Sequence, residues 1–248
     1  LMRSMLKQYP SLAHFSHEAF DDPFRSGRFS VATLAFAVVG PPQQQIDWRS
    51  VERKINFEMV KLLVEAGADP NVDNLHGRPL CLCREEHIAQ YLIDKGGDIN
   101  LWHDNGGAPV YFSVWQIDPD RLKMQLRLGA DARQINPHNG SSTLHSAAEV
   151  APNHDVLADY LETIRTLADA GVDPRHKAGI GVQSDWGPIY RADTPLHMAA
   201  VRNRPEVVQA LLDIGCDRTL QNAEGETPLD VARRELRDRA VTRLLEIK

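Results

Sequence analysis

Apolar residues recur three and four positions apart in short stretches of this chain. Such spacing places the apolar side chains on one face of a helix and the polar ones on the other. It predicts a series of short amphipathic helices. Three clear stretches are Val60, Leu62 and Leu63; then Ile88, Leu92 and Ile93; then Val207, Val208, Leu211 and Leu212.

Two short phrases separate the predicted helices. The first is Gly, a small residue and Asp, where glycine ends a helix in the left-handed conformation at no steric cost. It begins at Gly67, Gly96, Gly129, Gly171 and Gly215. The second phrase opens the next helix, and its clearest copy begins with Thr194 and Pro195, suited to an N-cap and a first helical turn. Its five copies are Arg78-Pro79-Leu80, Ala108-Pro109-Val110-Tyr111, Ser142-Thr143-Leu144-His145, Thr194-Pro195-Leu196-His197 and Thr227-Pro228-Leu229-Asp230.

The spacing of the second phrase is close to regular. Pro195 and Pro228 are 33 residues apart, and Pro79 and Pro109 are 30 apart. This period and the Thr-Pro-Leu-His wording resemble the ankyrin repeat. The resemblance implies an all-α ankyrin-repeat solenoid of about six helix pairs, which stack because no pair buries its apolar stripe alone. It also implies that His145 and His197 form structural hydrogen bonds between units.

Two units depart from the period. From Thr143 to Pro195 there are 52 residues, an excess of 52 − 33 = 19 that predicts insertions in the fourth unit. A degenerate first unit begins near Ala32-Thr33-Leu34 and holds an insertion marked by the Gly40-Pro41-Pro42 turn. We therefore predict a repeat domain over residues 28–248, preceded by an N-terminal helical cap over residues 1–27.

Composition and charge limit the classes of partner and the location that we expect for the protein. The 34 acidic residues exceed the 28 basic ones, and the net charge of −6 disfavours binding to nucleic acid. The longest mainly apolar run, 29–39, is too short for a bilayer, which takes about 20 residues, so we expect no membrane span. Three cysteines favour a reducing compartment. We expect a cytoplasmic protein, unless a signal peptide was removed before Leu1.

Catalytic chemistry has little support in the sequence. Cys81 and Cys83, with His87 nearby, lack the second ligand pair and the spacing of a zinc site, so burial as small hydrophobic residues is the better interpretation. No phosphate loop or nucleophile elbow is present. We predict no catalytic residue, cofactor or metal. An enzyme or metal protein that uses this region is the least favoured alternative.

Aromatic residues are the candidates for binding a partner. Trp and Tyr often dominate binding energy, and insertions in repeat proteins often map to the binding face. The resemblance implies that turns project as fingers and that first helices line a concave face. The alternative is that Trp115 and Phe112 fill an imperfect core. The predicted contact residues are Trp102, His103, Tyr111, Trp115, Trp186 and Tyr190.

These observations lead to a hypothesis of function. The resemblance implies a non-catalytic scaffold that binds another protein. The most specific form is a bacterial immunity or inhibitor protein that neutralises a cognate toxin, because an acidic groove would complement a basic toxin or enzyme. The alternative is a scaffold or effector that engages other cellular or host proteins.

Overall fold

The computed structural model describes residues 57–65, 68–71, 79–103, 107–150, 154–179, 193–202, 204–235, 237 and 239–246. The chain divides into two compact units, Leu1–Gly97 and Asp98–Lys248. Within the described residues, regular structure is helical apart from one isolated bridge between Ile135 and Ser142. This confirms the predicted all-α class.

The first unit holds three described helices. These are α1 (Phe57–Glu65), α2 (Pro79–Leu82) and α3 (Glu86–Asp94). Helix α1 is the second helix of the predicted first repeat, whose first helix lies outside the described residues, as does the predicted cap over 1–27. The predicted count of six pairs is therefore not tested at this end.

The described residues of the second unit form four helix pairs. In chain order the helices are α4 (Pro109–Trp115), α5 (Pro119–Arg127), α6 (Thr143–Glu149), α7 (Leu157–Asp169), α8 (Pro195–Arg202), α9 (Pro205–Asp213), α10 (Pro228–Arg234) and α11 (Arg239–Leu245). A 3₁₀ turn, His154–Val156, precedes α7.

The pairs stack in two layers. Helix α4 packs on α6, α6 on α8 and α8 on α10, which we call the first-helix layer. Helices α5, α7, α9 and α11 pack on one another in the same order and form the second-helix layer. Each pair therefore covers the apolar stripe of its neighbours, as the repeat predicts.

The core lies between the layers. Leu144 and Leu196, the third residues of their phrases, are completely buried, and so is Leu211 from the second-helix layer. Ala147 and Ala199 are also completely buried, and their small side chains allow first helices to approach closely. Hydrophobic burial of this kind supplies the main stabilisation of a repeat array.

The helix ends follow the phrases. Helices α4, α8 and α10 begin at the prolines of the second phrase, where the missing N–H leaves no bond unmade. Gly129 and Gly215 hold φ angles of 93° and 92° just after α5 and α9, in the left-handed region that glycine adopts freely. The predicted glycine stops are confirmed at these positions.

The fourth-unit insertion divides into two parts. Its first part lengthens a helix, because α7 has 13 residues where α5 and α9 have 9 each. Its second part lies mostly outside the described residues. The described residues on either side meet, since the Ala178 N–H donates to the Asp193 carbonyl oxygen at 3.0 Å. The residues that flank the second part of the insertion are therefore hydrogen-bonded to each other.

Candidate functional site

The predicted contact residues differ in exposure. Trp115 is 42% exposed, while Trp102 and His103 are half-buried. Tyr111 is completely buried, so its side chain is not accessible to a partner. The prediction that Tyr111 contacts a partner directly is therefore wrong. Trp186 and Tyr190 lie outside the described residues and stay predictions.

The buried Tyr111 ring instead contacts both tryptophan rings. Its ring lies edge-on to Trp102 at a centroid distance of 4.8 Å and to Trp115 at 6.4 Å. Edge-to-face contact at these distances is favourable for aromatic rings. Trp102 also faces His138, an exposed residue, at 6.5 Å. Four rings from one helix and two turns thus form a contiguous cluster.

The turn before α6 carries a further exposed apolar residue. Ile135 is 41% exposed, and with Trp115 it is one of the two large exposed hydrophobic side chains among the described residues. It lies in a hairpin-like turn, 134–141, which we call the third finger and whose Asn136 N–H donates to the Ser141 carbonyl oxygen at 2.8 Å. We call the set Trp102, Trp115, Ile135 and His138 the tryptophan surface.

Hydrogen bonds fix the third finger to its surroundings. The Tyr111 hydroxyl lies 2.9 Å from the carbonyl oxygens of Gln134 and Ser141, one on each leg of the finger. Asn100, two residues before Trp102, donates to the Gly129 carbonyl oxygen and accepts the Asp131 N–H. The Gln134 side-chain amide donates to the Asn100 carbonyl oxygen at 2.8 Å, so the turn that bears Trp102 and the finger that bears Ile135 are directly connected.

Charge on this surface is low. Helix α4 contains no charged residue, and Glu149 is the only acid or base in α6 besides the buried His145. Just before the third finger, the Arg133 guanidinium is 2.9 Å from the Asp131 carboxylate. Helices α4 and α6 thus carry one acidic side chain and no lysine or arginine.

The predicted histidine bridges are present. The Ser142 N–H donates to Nδ1 of His145, so the imidazole proton lies on Nε2, which donates to the Asp193 carbonyl oxygen at 2.9 Å. His197 repeats this arrangement, with the Thr194 N–H on Nδ1 and the Glu226 carbonyl oxygen on Nε2. The expected Thr194 cap differs in detail, because its hydroxyl bonds to the imidazole.

Burial keeps both imidazoles neutral. It lowers the pKa of His145 to about 4, although the bond to the Asp193 carbonyl oxygen opposes this shift. Burial likewise lowers the pKa of His197. Protonation of Nδ1 would also set two donors against each other at the N-cap. These histidines serve the fold, and their environment favours the neutral form.

The base of the fourth unit's turn is locked to the third finger. The His176 Nε2–H donates to the Gly140 carbonyl oxygen at 2.8 Å, and the Gly179 N–H donates to the Asn139 carbonyl oxygen at 2.9 Å. A Cβ atom on Gly140 would lie 2.6 Å from the Gly179 nitrogen, so this contact requires glycine. The third finger is held on both sides.

The cysteine region does not converge on a site. Cys81 and Cys83 are buried, as predicted, whereas His87 is exposed and its ring lies edge-on to Phe57 at 5.0 Å. Across the described residues, no group of three or more His, Cys, Asp or Glu side chains is placed to hold a metal ion. None of the helices described is long and apolar enough to cross a bilayer.

Comparisons with known proteins give the family. A family model for ankyrin repeats in many copies matches residues 185–232, which hold both clear Thr-Pro-Leu phrases. The mouse (Mus musculus) B-cell lymphoma 3 protein homolog is 27% identical over 71% of this chain and 37% of its own length. A probable E3 ubiquitin-protein ligase of Oryza sativa subsp. japonica is 28% identical over 71% of this chain and 32% of its own.

A shorter and closer match is to NF-kappa-B inhibitor alpha of Sus scrofa, 51% identical over 39 residues, which are 16% of this chain and 12% of that protein. The chain spans about a third of the length of the two long relatives. Ankyrin repeats are typically non-catalytic protein-interaction domains, and these relatives support a protein-binding scaffold. The phrases, the stacked helix pairs and these matches together identify ankyrin repeats in this chain.

Proposed function

We propose that the chain is a non-catalytic scaffold that binds another protein on the tryptophan surface. The observation that carries this proposal is the exposure of Trp115 and Ile135, the two exposed large hydrophobic side chains among the described residues. Through Tyr111, Trp115 is continuous with the rings of Trp102 and His138. Contiguous exposed apolar patches mark interaction sites, and tryptophan is enriched among residues that dominate binding energy.

The rigidity of this surface supports the proposal. Tyr111, Asn100 and His176 hold the participating turns by hydrogen bonds that exist without a partner. A surface formed in advance loses little conformational freedom on association, so more of the contact energy is available for affinity.

The finer proposal is an inhibitor that neutralises a toxin or enzyme by direct binding. Helices α4 and α6 carry a single charged side chain besides the buried His145, the acidic Glu149, which suits a basic partner and does not oppose an apolar anchor. One relative, NF-kappa-B inhibitor alpha, is named as an inhibitor of another protein. For this chain we propose the bacterial immunity role, with cytoplasmic action and no role for nucleic acid or membrane.

Replacing Trp115 with alanine tests the proposal. We expect partner affinity to fall at least tenfold, because truncation of a central tryptophan costs about 2 kcal/mol or more, while the melting temperature stays close to wild type. The tagged chain is purified from the cells that encode it, and its co-purifying protein is titrated by calorimetry. Gln209→Ala, an exposed position on α9 in the second-helix layer, is the control and should bind like wild type.

Unchanged affinity of Trp115→Ala would contradict the proposal. The identity of the partner then separates the two forms of the hypothesis. A toxin encoded beside this chain, whose turnover stops at one equivalent, indicates an inhibitor. A partner whose activity is unchanged on binding indicates a scaffold or effector.

The fourth-unit insertion has its own test. If Trp186 contacts the partner, Trp186→Ala should weaken binding and hardly change the melting temperature. A large loss of thermal stability with unchanged affinity would assign Trp186 to packing instead.

A further inference from the structure

Tyr111 occupies the histidine position of its repeat. It is the last residue of Ala108-Pro109-Val110-Tyr111, where the corresponding phrases have His145 and His197. Each histidine donates to the carbonyl that directly precedes the next phrase, that of Asp193 or Glu226. The Tyr111 hydroxyl reaches the corresponding carbonyl of Ser141. The tyrosine therefore preserves the bridge between units.

Tyrosine in place of histidine removes a hydrogen-bond acceptor at the start of α4. His145 and His197 each accept the backbone N–H of their N-cap residue, and a phenol ring has no atom that can do so. Ala108 has no side-chain hydroxyl like those of Ser142 and Thr194, so α4 also begins without an N-cap side-chain hydrogen bond. Loss of such a cap typically destabilises a helix by a measurable amount.

The exchange also adds contacts that an imidazole does not make at the other two positions. The hydroxyl reaches Gln134 as well as Ser141, which joins both legs of the third finger. The ring lies against Trp102 and Trp115. These contacts of Tyr111 are thus with a part of the tryptophan surface or with the finger that carries the rest of it.

We propose that Tyr111 is the positioning residue of the tryptophan surface, which holds Trp102, Trp115 and the third finger in the arrangement that a partner recognises. The inference rests on the proposed function. Tyr111 replaces the histidine of the repeat phrase, and the contacts that it gains lie at the interaction surface. Departures from a repeat's local pattern are expected at functional sites.

The test uses two substitutions at Tyr111. Tyr111→His supplies an imidazole that can bridge to Ser141 and accept the Ala108 N–H but removes the phenol ring contacts, and Tyr111→Phe keeps the ring but removes the hydroxyl whose proton is shared between the two finger carbonyls. Tyr160→Phe is the matched control, because Tyr160 is also buried and its hydroxyl donates to the Ala147 carbonyl oxygen at 2.6 Å, from α7. Circular dichroism establishes that each variant is folded.

Binding is read by photo-crosslinking in the cells that encode the chain. Benzoylphenylalanine is incorporated at Gln116, an exposed position beside Trp115, and the yield of the conjugate that Trp115→Ala removes is measured. We expect both Tyr111 variants to lower this yield at least about fivefold, as loss of an interface hot spot does. Tyr160→Phe should lower the melting temperature as much as Tyr111→Phe does and leave the yield unchanged.

A spectroscopic measurement distinguishes a change in the arrangement of the tryptophan rings from a change in the stability of the protein. With 5-fluorotryptophan incorporated, the fluorine resonances of Trp102 and Trp115 should shift in Tyr111→His and not in Tyr160→Phe. Unmoved resonances, or an undiminished yield in both Tyr111 variants while Trp115→Ala still removes the conjugate, would overturn the inference and leave the proposed function standing. A conjugate that survives Trp115→Ala would overturn the proposed function and this inference with it.

Discussion

Replacing Leu196 with alanine is expected to lower the free energy of unfolding by about 2–5 kcal/mol, the range for truncation of a buried leucine. Leu196 is completely buried in α8, which packs on α6, α9 and α10. Its removal opens a cavity where three neighbouring helices meet. In a repeat array stability depends on contacts between adjacent units, so the loss should affect the array on both sides.

Urea unfolding followed by circular dichroism measures this effect. Leu229→Ala is the matched control, because Leu229 holds the same place in the last phrase and is only half-buried. We expect a clearly smaller loss for Leu229→Ala. Equal losses for the two variants would show that Leu196 does not occupy the core position assigned to it.

Mild acid is expected to destabilise the protein through His145. Burial lowers the pKa of this imidazole to about 4 in the folded chain, against about 6.5 when it is unfolded. The unfolded state therefore binds the proton more readily between these values, and the stability present above the unfolded pKa is lost as the pH falls. The full loss from this group is about 3 kcal/mol. His197, whose pKa burial also lowers, acts in the same direction.

Urea unfolding at about pH 7.5 and about pH 5 tests the prediction, and the free energy of unfolding should be lower at the acid pH by about 2 kcal/mol from His145. His145→Gln keeps one acceptor and one donor but does not titrate, so its pH dependence should be weaker. His138→Gln, at an exposed position, is the control and should keep the wild-type dependence. Equal pH dependence in all three proteins would contradict the account.

The helical architecture was predictable because its signals are local. Pro109, Pro195 and Pro228 begin helices since proline suits a first turn, and Gly215 ends one since glycine adopts a positive φ. Phrases of this kind act within a few residues and recur with the repeat. Their positions in the sequence therefore gave the helix boundaries without knowledge of tertiary contacts.

The tryptophan surface was only partly predictable. Trp115 is exposed and stays a predicted contact residue, whereas Tyr111 is buried; the alignment of Tyr111 with His145 and His197 indicates a buried bridge. The sequence does not predict the exposure of Ile135, because that exposure depends on how the third finger is held. Its isolation among polar turn residues, 133–141, was the available signal.

Hydrogen exchange on the full chain, free and bound to its co-purifying protein, tests the central claim most directly. The claim is that stacked ankyrin units present the tryptophan surface to a protein partner. The account predicts slower exchange on binding in residues 98–103, in the third finger and in α4, with α7 and α9 unchanged. Protection confined to α7 and α9, with the third finger unchanged, would contradict it.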